Sequence, residues 1–341
     1  MDQDVDFEYV PNLVEALTQQ RVAADLVVGS FVNTPTVTTR MASLEPGIPG
    51  ASPGSVWLPL AFSVPTIVYE SDGPLADTDR TLAFDDLGNL LYGSDTHEDI
   101  EHPRFLLAFP SGTSWVILRS LGLNVTGDPN GDPLIDEAEI TGGLETIRQW
   151  QERYHGSPQR EREYRDHYLS EPWPRLLEKG RIDALYLPSD TLLGWDFVAE
   201  ERWRFSILTL PDDTYFALDN VVYAGIPQAS EIKGDALALL AWLADPDVQI
   251  DLISQKLVQR IDSFGFFGGF SVHERVTTSM MEDIYPGLAA HLFSPVDVIL
   301  PEEQPRYWNE ALERVVYPAL DSPSSVDLRD ELSRWYRQRG D

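Results

Sequence analysis

Apolar residues follow two different spacings along this chain. In 24–31 and 205–210 they form short runs with the length and composition of a buried strand, whereas in 139–154 they recur every three to four residues, as on one face of a helix. The same patterns predict further strands at 5–10, 105–109 and 184–187, and further helices at 13–22, 81–87, 114–121, 173–179, 192–197, 307–320 and 326–339. Strands and helices alternate from end to end, which predicts an α/β fold.

The stretch 235–256 has the most informative pattern. Apolar residues recur at helical spacing over 236–243, and a second amphipathic run covers 248–257. Asp245-Pro246 separates the two runs, because the residue before a proline is pushed out of the α region. The sequence therefore predicts a strand, a polar loop, a helix, an Asp-Pro break and a second helix.

Two extended stretches look like connections between two halves of the molecule. The stretch 57–70 is too long for one ordinary strand, and Pro65 within it cannot donate a hydrogen bond to a sheet. A second extended stretch covers 221–226. A chain that passes from one lobe to another and back would have this pattern.

Length, charge and cysteine content narrow the class of protein. The 341 residues suggest two domains, and 56 acidic against 25 basic residues give a net charge of −31. Such a surface repels nucleic acid and anionic membranes. It indicates a solvated acidic shell, with an acidic pocket for a cationic solute as the alternative. The chain has no cysteine, so disulfides, thiolate metal sites and cysteine nucleophiles are excluded.

Motifs for catalysis or cofactor binding are absent from the sequence. The six histidines have no metal-ligand spacing, and there is no nucleophile elbow, P-loop or dinucleotide fingerprint, so we expect no metal and no cofactor. Carboxylate pairs such as Asp85-Asp86 and Asp212-Asp213 could serve a glycosidase. With 56 carboxylates in the chain, their simpler interpretation is solvated surface.

Six segments, in order along the chain, resemble the extracellular solute-binding proteins of ABC importers (family 1, which includes maltose-binding protein). These segments are DFEYVPN with ADLVVGS, LPLAFSVPTIVYESD, TLAFDDLGNLL, LLEKGRIDALYLPSD, FSILTLPDD, and NVVYAGIPQASEIKGDALALLAWLADPDVQ. Tyr69-Glu70-Ser71 departs from the family's usual ending of the first crossing, and Thr191 stands close to where the family often has a tryptophan. Each motif is degenerate by itself, and the resemblance depends on their common order.

The resemblance implies a two-lobed, type II periplasmic-binding fold with a hinge. Lobe 1 would comprise 1–62 and 221–298, and lobe 2 would comprise 63–220 and 299–341. The family usually has one more strand and helix before the segment that 5–11 matches, so we expect them to be missing here. The family's setting implies an extracytoplasmic protein, periplasmic or on the outer face of the membrane, with a lipid anchor in its full-length form.

Candidate ligand-binding residues follow from this fold. Open α/β sheets bind ligands beyond the carboxyl ends of their strands, and sugars are bound by Asp and Asn hydrogen bonds and by aromatic stacking. The candidates are Ser30, Phe31, Asn33, Phe62, Ser63, Gly112, Thr113, Trp115, Asp190, Thr191, Trp195, Asp219, Asn220, Phe266, Phe267, Tyr307 and Trp308.

Structural roles are open for several of these candidates. Trp115 could be core, Asp190 a helix cap, Asp219 and Asn220 the end of a strand, and 264–270 a packed hydrophobic loop. Trp150 and Trp242 lie at helix-face spacing and are expected in the core.

The resemblance implies a non-enzymatic, monomeric binding protein that closes around a sugar or oligosaccharide and delivers it to an ABC permease. Two alternatives stay open. One is a carbohydrate-active hydrolase with a carboxylate pair, and the other is a degenerate binding protein that acts as a sensor or has no solute.

Overall fold

The strands and helices of the chain form an α/β structure. The computed structural model describes residues 7–9, 26–30, 57–76, 81–93, 102–107, 112–127, 133–168, 171–193, 202–259, 261, 263–284, 288, 293–301, 308–320 and 328–339. The described strands are β1 (Phe7–Tyr9), β2 (Leu26–Ser30), β3 (Leu58–Phe62), β4 (Pro65–Glu70), β5 (Thr81–Ala83), β6 (Val125–Gly127), β7 (Pro133–Ile135), β8 (Ala184–Pro188), β9 (Trp203–Thr209), β10 (Tyr215–Phe216), β11 (Val222–Gly225), β12 (Phe270–Ser271) and β13 (Val298–Ile299).

The described helices are Phe84–Tyr92, Thr113–Ser120, Glu137–His155, Pro158–Tyr168, Trp173–Glu178, Ser189–Leu193, Lys233–Leu243, Pro246–Val258, Glu274–Ser279, Trp308–Ala311, Tyr317–Leu320 and Leu328–Arg339. A π-helical turn, Met280–Ile284, continues one of them, and a second, Leu312–Val316, joins two others. A 3-10 turn covers Pro295–Asp297. The helix predicted at 13–22 lies outside the described residues.

The first main sheet has the order β1-β2-β11-β3-β12. β1 and β2 are parallel, whereas β11 runs antiparallel to both β2 and β3. Its core includes Val28, Leu58 and Leu60, together with apolar residues of the helices Lys233–Leu243 and Pro246–Val258.

The second main sheet has the order β5-β9-β4-β8. In β4, Ile67 and Tyr69 contribute to one buried cluster and Val68 to another, because successive side chains point to opposite faces. The sheet is therefore covered on both faces, as expected where helices flank a sheet on two sides.

The chain passes between the two sheets at the middle of the long extended stretch. β3 ends at Phe62, β4 begins at Pro65, and the two strands lie in different sheets. Hydrogen bonds tie this passage to its neighbours: Leu218 N donates to Ser63 O at 2.8 Å, and Ala217 N donates to Ile299 O at 2.9 Å. Three connecting segments thus lie side by side at the junction of the sheets.

The Asp-Pro break predicted after the helix at 236–243 is confirmed. Helix Pro246–Val258 begins directly after Asp245, whose side chain accepts a hydrogen bond from Asp247 N at 2.8 Å. A carboxylate at this position caps the helix, and proline fits its first turn because the missing N–H has no partner there.

Three predictions from the pattern were wrong. Residues 105–107 are buried but form no strand, and 81–83 form β5 rather than the start of a helix. Trp242 is 49% exposed and does not belong to the core, whereas Trp150 is buried as predicted. In each case the pattern identified the apolar residues correctly. Their backbone conformation or their burial depends on contacts with distant parts of the chain.

A buried polar network joins several helices near the second main sheet. Tyr92 Oη accepts hydrogen bonds from the backbone N–H groups of Arg104 (2.9 Å) and Phe105 (3.2 Å), so its own O–H donates to His155 Nε2 at 3.0 Å. His155 therefore carries its proton on Nδ1, which donates to Glu161 Oε2 at 3.0 Å. The network connects three helices and the segment 102–107.

Candidate functional site

A cavity of about 330 Å³ lies at the carboxyl end of β8, in the second main sheet, beside the return segment 216–220. It is lined by Gly112, Trp115, Val116, Arg119, Tyr186, Pro188, Phe216, Ala217, Leu218, Asp219, Asn220, Leu312 and Tyr317. These residues come from helix Thr113–Ser120, the carboxyl end of β8, the return segment 216–220 and the 312–317 turn. The position agrees with the rule that open α/β sheets bind ligands beyond the carboxyl ends of strands.

Helix Thr113–Ser120 contributes one wall of the cavity. Gly112 precedes it with φ 96°, a left-handed conformation that glycine adopts without strain. Trp115 and Arg119 are four residues apart and therefore lie on the same face of the helix. Both side chains reach the return segment at Asp219.

Asp219 is the centre of a buried charged cluster. Its Oδ1 accepts a hydrogen bond from Arg119 Nη1 at 2.9 Å, and its Oδ2 accepts one from Trp115 Nε1 at 2.9 Å. The Arg119 side chain is 10% exposed and that of Asp219 16%. An ion pair this buried is weakly screened, and hydrogen bonds to both carboxylate oxygens fix its orientation.

Asn220 connects the junction to the end of β8. Its Nδ2 donates to Asp190 Oδ2 at 2.9 Å and approaches Ser63 Oγ at 3.4 Å. Its Oδ1 is buried and has no hydrogen-bond partner among the described residues. Burial raises the pKa of Asp190 above its usual value, and the hydrogen bonds from Thr191 partly oppose this. Unsatisfied buried acceptors are rare and often occur at functional sites.

Two tyrosines face the cavity with neutral phenol groups. Burial, followed by the nearby Asp190, raises the pKa of Tyr186 well above its usual value. Burial and the charges of Asp219 and Glu313 raise the pKa of Tyr317 to about 12. At neutral pH both phenols keep their protons and can donate hydrogen bonds.

The cavity thus combines flat apolar faces with polar groups of both kinds. Trp115, Tyr186, Phe216 and Tyr317 provide aromatic surface, while the Arg119–Asp219 pair provides donors and acceptors. Sugars have an apolar face and a fringe of hydroxyl groups, so this composition suits them.

A second, wider groove of about 630 Å³ has a different composition. Its lining is Asp247, Ile250, Asp251, Glu274, Arg275, Thr278, Ser279, Glu282 and Asp283. It contains no aromatic side chain and is mainly acidic, so larger volume does not make it the better sugar site. No group of three His, Asp or Glu within the described ranges could hold a metal ion.

Four of the residues predicted from the sequence line the cavity: Gly112, Trp115, Asp219 and Asn220. Their common feature is that they flank a helix start or a chain crossing, which the pattern located well.

Five further candidates lie beside the cavity rather than on its lining. Ser63 and Asp190 contact Asn220, and the exposed Thr191 donates from its N–H to Asp190 Oδ1 at 2.7 Å. Thr113 is buried in the helix start, and Trp308 is buried against Trp115, with ring centroids 5.4 Å apart.

The remaining described candidates pack in the core of the first sheet. Phe62 and Phe266 are buried, and Phe62 lies against Phe270 with ring centroids 6.2 Å apart. Phe267 is partly buried and has φ 47°, a strained conformation for a residue with a side chain.

Five candidates cannot be placed at the cavity. Ser30 ends β2, but its side chain is not among those described. Phe31, Asn33, Trp195 and Tyr307 lie outside the described residues.

Sequence reasoning missed several cavity residues, and two of them had a signal. Arg119 lies four residues after Trp115, so the same helix face should have included it. Tyr186 and Pro188 are two residues apart in β8, so the alternation of side chains along a strand puts both on the same face of the sheet. Tyr317 and Leu312 come from the distant C-terminal region, and no local pattern indicated them.

The acidic pairs considered for hydrolysis lie on the surface. Asp85 and Asp86 are exposed in the first turn of helix Phe84–Tyr92, and Asp212 and Asp213 are exposed in a turn. Their positions favour the interpretation as solvated surface.

No family model matches this sequence, and no curated protein matches it at a significant level. Solved structures do match its fold. An ABC substrate-binding protein from Listeria monocytogenes, in complex with cycloalternan, is 11% identical, covers 96% of this chain and 87% of its own, and has a TM-score of 0.61. A sugar-binding protein from Xanthomonas citri is 11% identical with coverages of 96% and 85% and a TM-score of 0.59.

A sugar transporter from Rhizobium etli, in an open conformation, is 14% identical, with coverages of 94% and 86% and a TM-score of 0.58. All three are described as binding or transport proteins. Within the described part of the chain, no helix has the length and apolar character needed to cross a membrane. The structure and its likeness to these proteins together show that this chain has the two-lobed, hinged α/β fold of the extracellular solute-binding proteins.

Proposed function

We propose that this protein is the solute-binding component of an ABC importer and binds a sugar or oligosaccharide in the cleft between its lobes, where the cavity is the part of the cleft that the second lobe provides. The cavity is the observation on which the proposal rests: it has about 330 Å³, lies at the carboxyl end of β8, and has aromatic faces beside a buried Arg119–Asp219 pair. Ligand pockets of roughly 300–1,000 Å³ with a few convergent polar groups are typical of small-molecule sites. The likeness of the fold to sugar-binding proteins supports the same conclusion.

The lobes in this proposal are 1–62 with 221–298, and 63–220 with 299–341. Their boundaries fall at the three connecting segments, where Ser63, Leu218 and Ile299 take part in hydrogen bonds between neighbouring connections. A sugar in contact with both lobes would stabilise the closed form and shift the equilibrium toward it.

The partner of the closed form in this proposal is a membrane permease of the ABC type. In this proposal the protein acts outside the cytoplasm as a monomer and is held at the membrane by a lipid anchor. It changes no bond of the solute, so the solute leaves the protein chemically intact.

A thermal-shift screen against mono- and oligosaccharides tests this function. A ligand that binds the folded state raises the melting temperature, and the added stability grows with the logarithm of its concentration over Kd. We expect at least one saccharide to raise it, to saturate in calorimetry, and to make the protein more compact in solution scattering. The absence of any saccharide response, or the appearance of a hydrolysis product, would contradict the proposal.

A matched pair of variants locates the site. Asn220→Ala removes the amide beside the cavity, and we expect a Kd about tenfold weaker, the effect of one or two lost hydrogen bonds. Asn89→Ala makes the same change on the exposed face of helix Phe84–Tyr92 and should leave affinity unchanged. Equal affinities of the two variants would place the sugar elsewhere.

A further inference from the structure

The guanidinium of Arg119 is nearly buried, yet the part of the protein that the structure describes uses only a small part of its hydrogen-bonding capacity. The side chain is 10% exposed and lines the cavity. The structure gives it one hydrogen bond to the described protein, from Nη1 to Asp219 Oδ1 at 2.9 Å. A guanidinium has five N–H donors. Because Arg119 lines the cavity, a ligand bound there is within reach of the guanidinium and is a natural partner for the remaining donors.

Asp219 balances this charge inside the same wall. Its carboxylate is held on one side by Arg119 and on the other by Trp115 Nε1. The two side chains therefore present a positive donor and a negative acceptor next to each other, with no net charge.

We infer that this ion pair makes the site selective for an uncharged sugar unit, which it binds through adjacent hydroxyl groups, and that it rejects uronic acids and amino sugars. The inference rests on the proposed sugar-binding function. One of two neighbouring hydroxyl groups can accept a hydrogen bond from Arg119 while the other donates one to the carboxylate of Asp219. A neutral diol therefore matches the pair. A hydroxyl group is both donor and acceptor, which a carboxylate or an ammonium group is not.

A charged sugar would meet an opposite and a like charge at similar distances. The carboxylate of a uronic acid would be attracted by Arg119 and repelled by Asp219, and the ammonium of an amino sugar would meet the reverse. Neither gains enough to offset the loss of its hydration in a poorly solvated cavity. Like charges brought together at an interface also suppress binding of the wrong partner.

The test uses sets of sugars that share a ring. Glucose, glucuronate and glucosamine form one set, and galactose, galacturonate and galactosamine form another. Calorimetry with the unmodified protein should show the neutral member of at least one set binding about tenfold or more tighter than its charged analogues. A uronic acid or amino sugar that binds as tightly as its neutral analogue would overturn the inference while the sugar-binding function stands. If no member of either set and no oligosaccharide binds, both proposals fail.

Two variants should shift the preference in opposite directions. Asp219→Asn leaves Arg119 without its counter-charge, so affinity for the uronic acid relative to the neutral sugar should rise about tenfold. Arg119→Gln leaves Asp219 unbalanced, so the amino sugar should gain instead. The same direction of change in both variants, or no change in either, would contradict a role for the pair in selection.

The chain offers a matched ion pair as the control. Arg275 Nη2 and Asp247 Oδ1 lie 2.5 Å apart in the acidic groove and are mostly exposed. Asp247→Asn and Arg275→Gln make the same changes in net charge, and we expect the relative affinities within each set to stay constant. A thermal melt of each variant checks that it folds. If a cavity variant does not fold, the selectivity of the unmodified protein still tests the inference.

Discussion

Two buried polar clusters of the protein differ in how completely their hydrogen bonds are satisfied. In the cluster of Tyr92, His155 and Glu161, the O–H of Tyr92 and the Nδ1–H of His155 each meet an acceptor within the protein, and the side chains of His155 and Glu161 are 0% exposed. In the cluster at Arg119, Asp219 and Asn220, donors of Arg119 and the Oδ1 of Asn220 have no protein partner among the described residues, and a cavity lies beside them.

This difference separates a structural network from a binding site. A satisfied network fixes the positions of the elements that it joins and offers nothing to a ligand. A cluster with open hydrogen-bonding capacity is costly to maintain unless another molecule completes it. Burial of polar residues by itself would not have distinguished the two.

The largest effect is expected when the satisfied network is broken. Glu161→Ala removes the acceptor of His155 Nδ1 and of Gln151 Nε2, which donate at 3.0 Å and 2.7 Å. Each buried donor left without a partner costs roughly 1–3 kcal/mol, so we expect about 3 kcal/mol less stability in urea unfolding. The affinity of the folded protein for its sugar should not change.

The control for this variant is Glu145→Ala, in the exposed part of helix Glu137–His155, where Glu145 pairs with Arg148. Exposed pairs contribute little, and the urea midpoint should hardly move. Equal losses in the two variants would show that the buried network is not a special source of stability.

An intermediate effect is expected from narrowing the cavity at Gly112. A Cβ at this position would lie 3.4 Å from Tyr317 Cζ, and φ is 96°. Gly112→Ala should cost about 1–2 kcal/mol of stability, because a left-handed conformation is strained with a side chain. It should also weaken sugar binding, since the methyl group presses on an aromatic wall of the cavity.

Gly122 provides a close control at the other end of helix Thr113–Ser120. It has nearly the same φ, 97°, and nothing within 4 Å of an added Cβ. Gly122→Ala should therefore lose a similar amount of stability but keep its affinity. If both variants bind equally well, Tyr317 does not contribute to the site.

The smallest effect is a pH dependence that belongs to Tyr317. Its pKa is raised from 10.0 to about 12, by burial first and then by the charge of Asp219. A raised folded-state pKa gives stability that is complete below about pH 10 and lost as pH rises toward 12, because the unfolded phenol ionises first. Tyr317→Phe should remove the part of the stability loss at high pH that comes from the ionisation of Tyr317.

Phenolate absorbance measures the titration directly, and the difference between protein and variant isolates Tyr317 from Tyr164 and Tyr223, whose pKa values are also raised to about 12. A bound sugar that covers the cavity should raise the pKa of Tyr317, as read from this difference, further. A Tyr317 that titrates near pH 10 would show that water reaches this wall freely.

Local sequence patterns predicted the elements whose determinants are local. Asp245-Pro246 set the start of helix Pro246–Val258 by capping, and the helix at Glu137–His155 was evident from its apolar spacing. The apolar run at 105–107 was misleading because it reflects burial. Phe105 N donates to Tyr92 Oη and Leu107 O accepts from Ser114 Oγ, and neither partner belongs to a sheet.

The candidate site was predicted only in part, for a geometric reason. Gly112, Trp115, Asp219 and Asn220 flank elements that the pattern located, so they could be named. Tyr317 joins them from 97 residues beyond Asn220, and no spacing in the chain indicates that contact.

The sequence by itself determined the alternation of strands and helices, the absence of thiol chemistry and the acidic surface, because these follow from residue types and neighbours along the chain. Only the tertiary structure decided which buried polar groups satisfy one another and which are left open to a cavity. That distinction depends on distances between segments such as 115–119 and 219–220, about a hundred residues apart, which are set by the packing of the whole lobe.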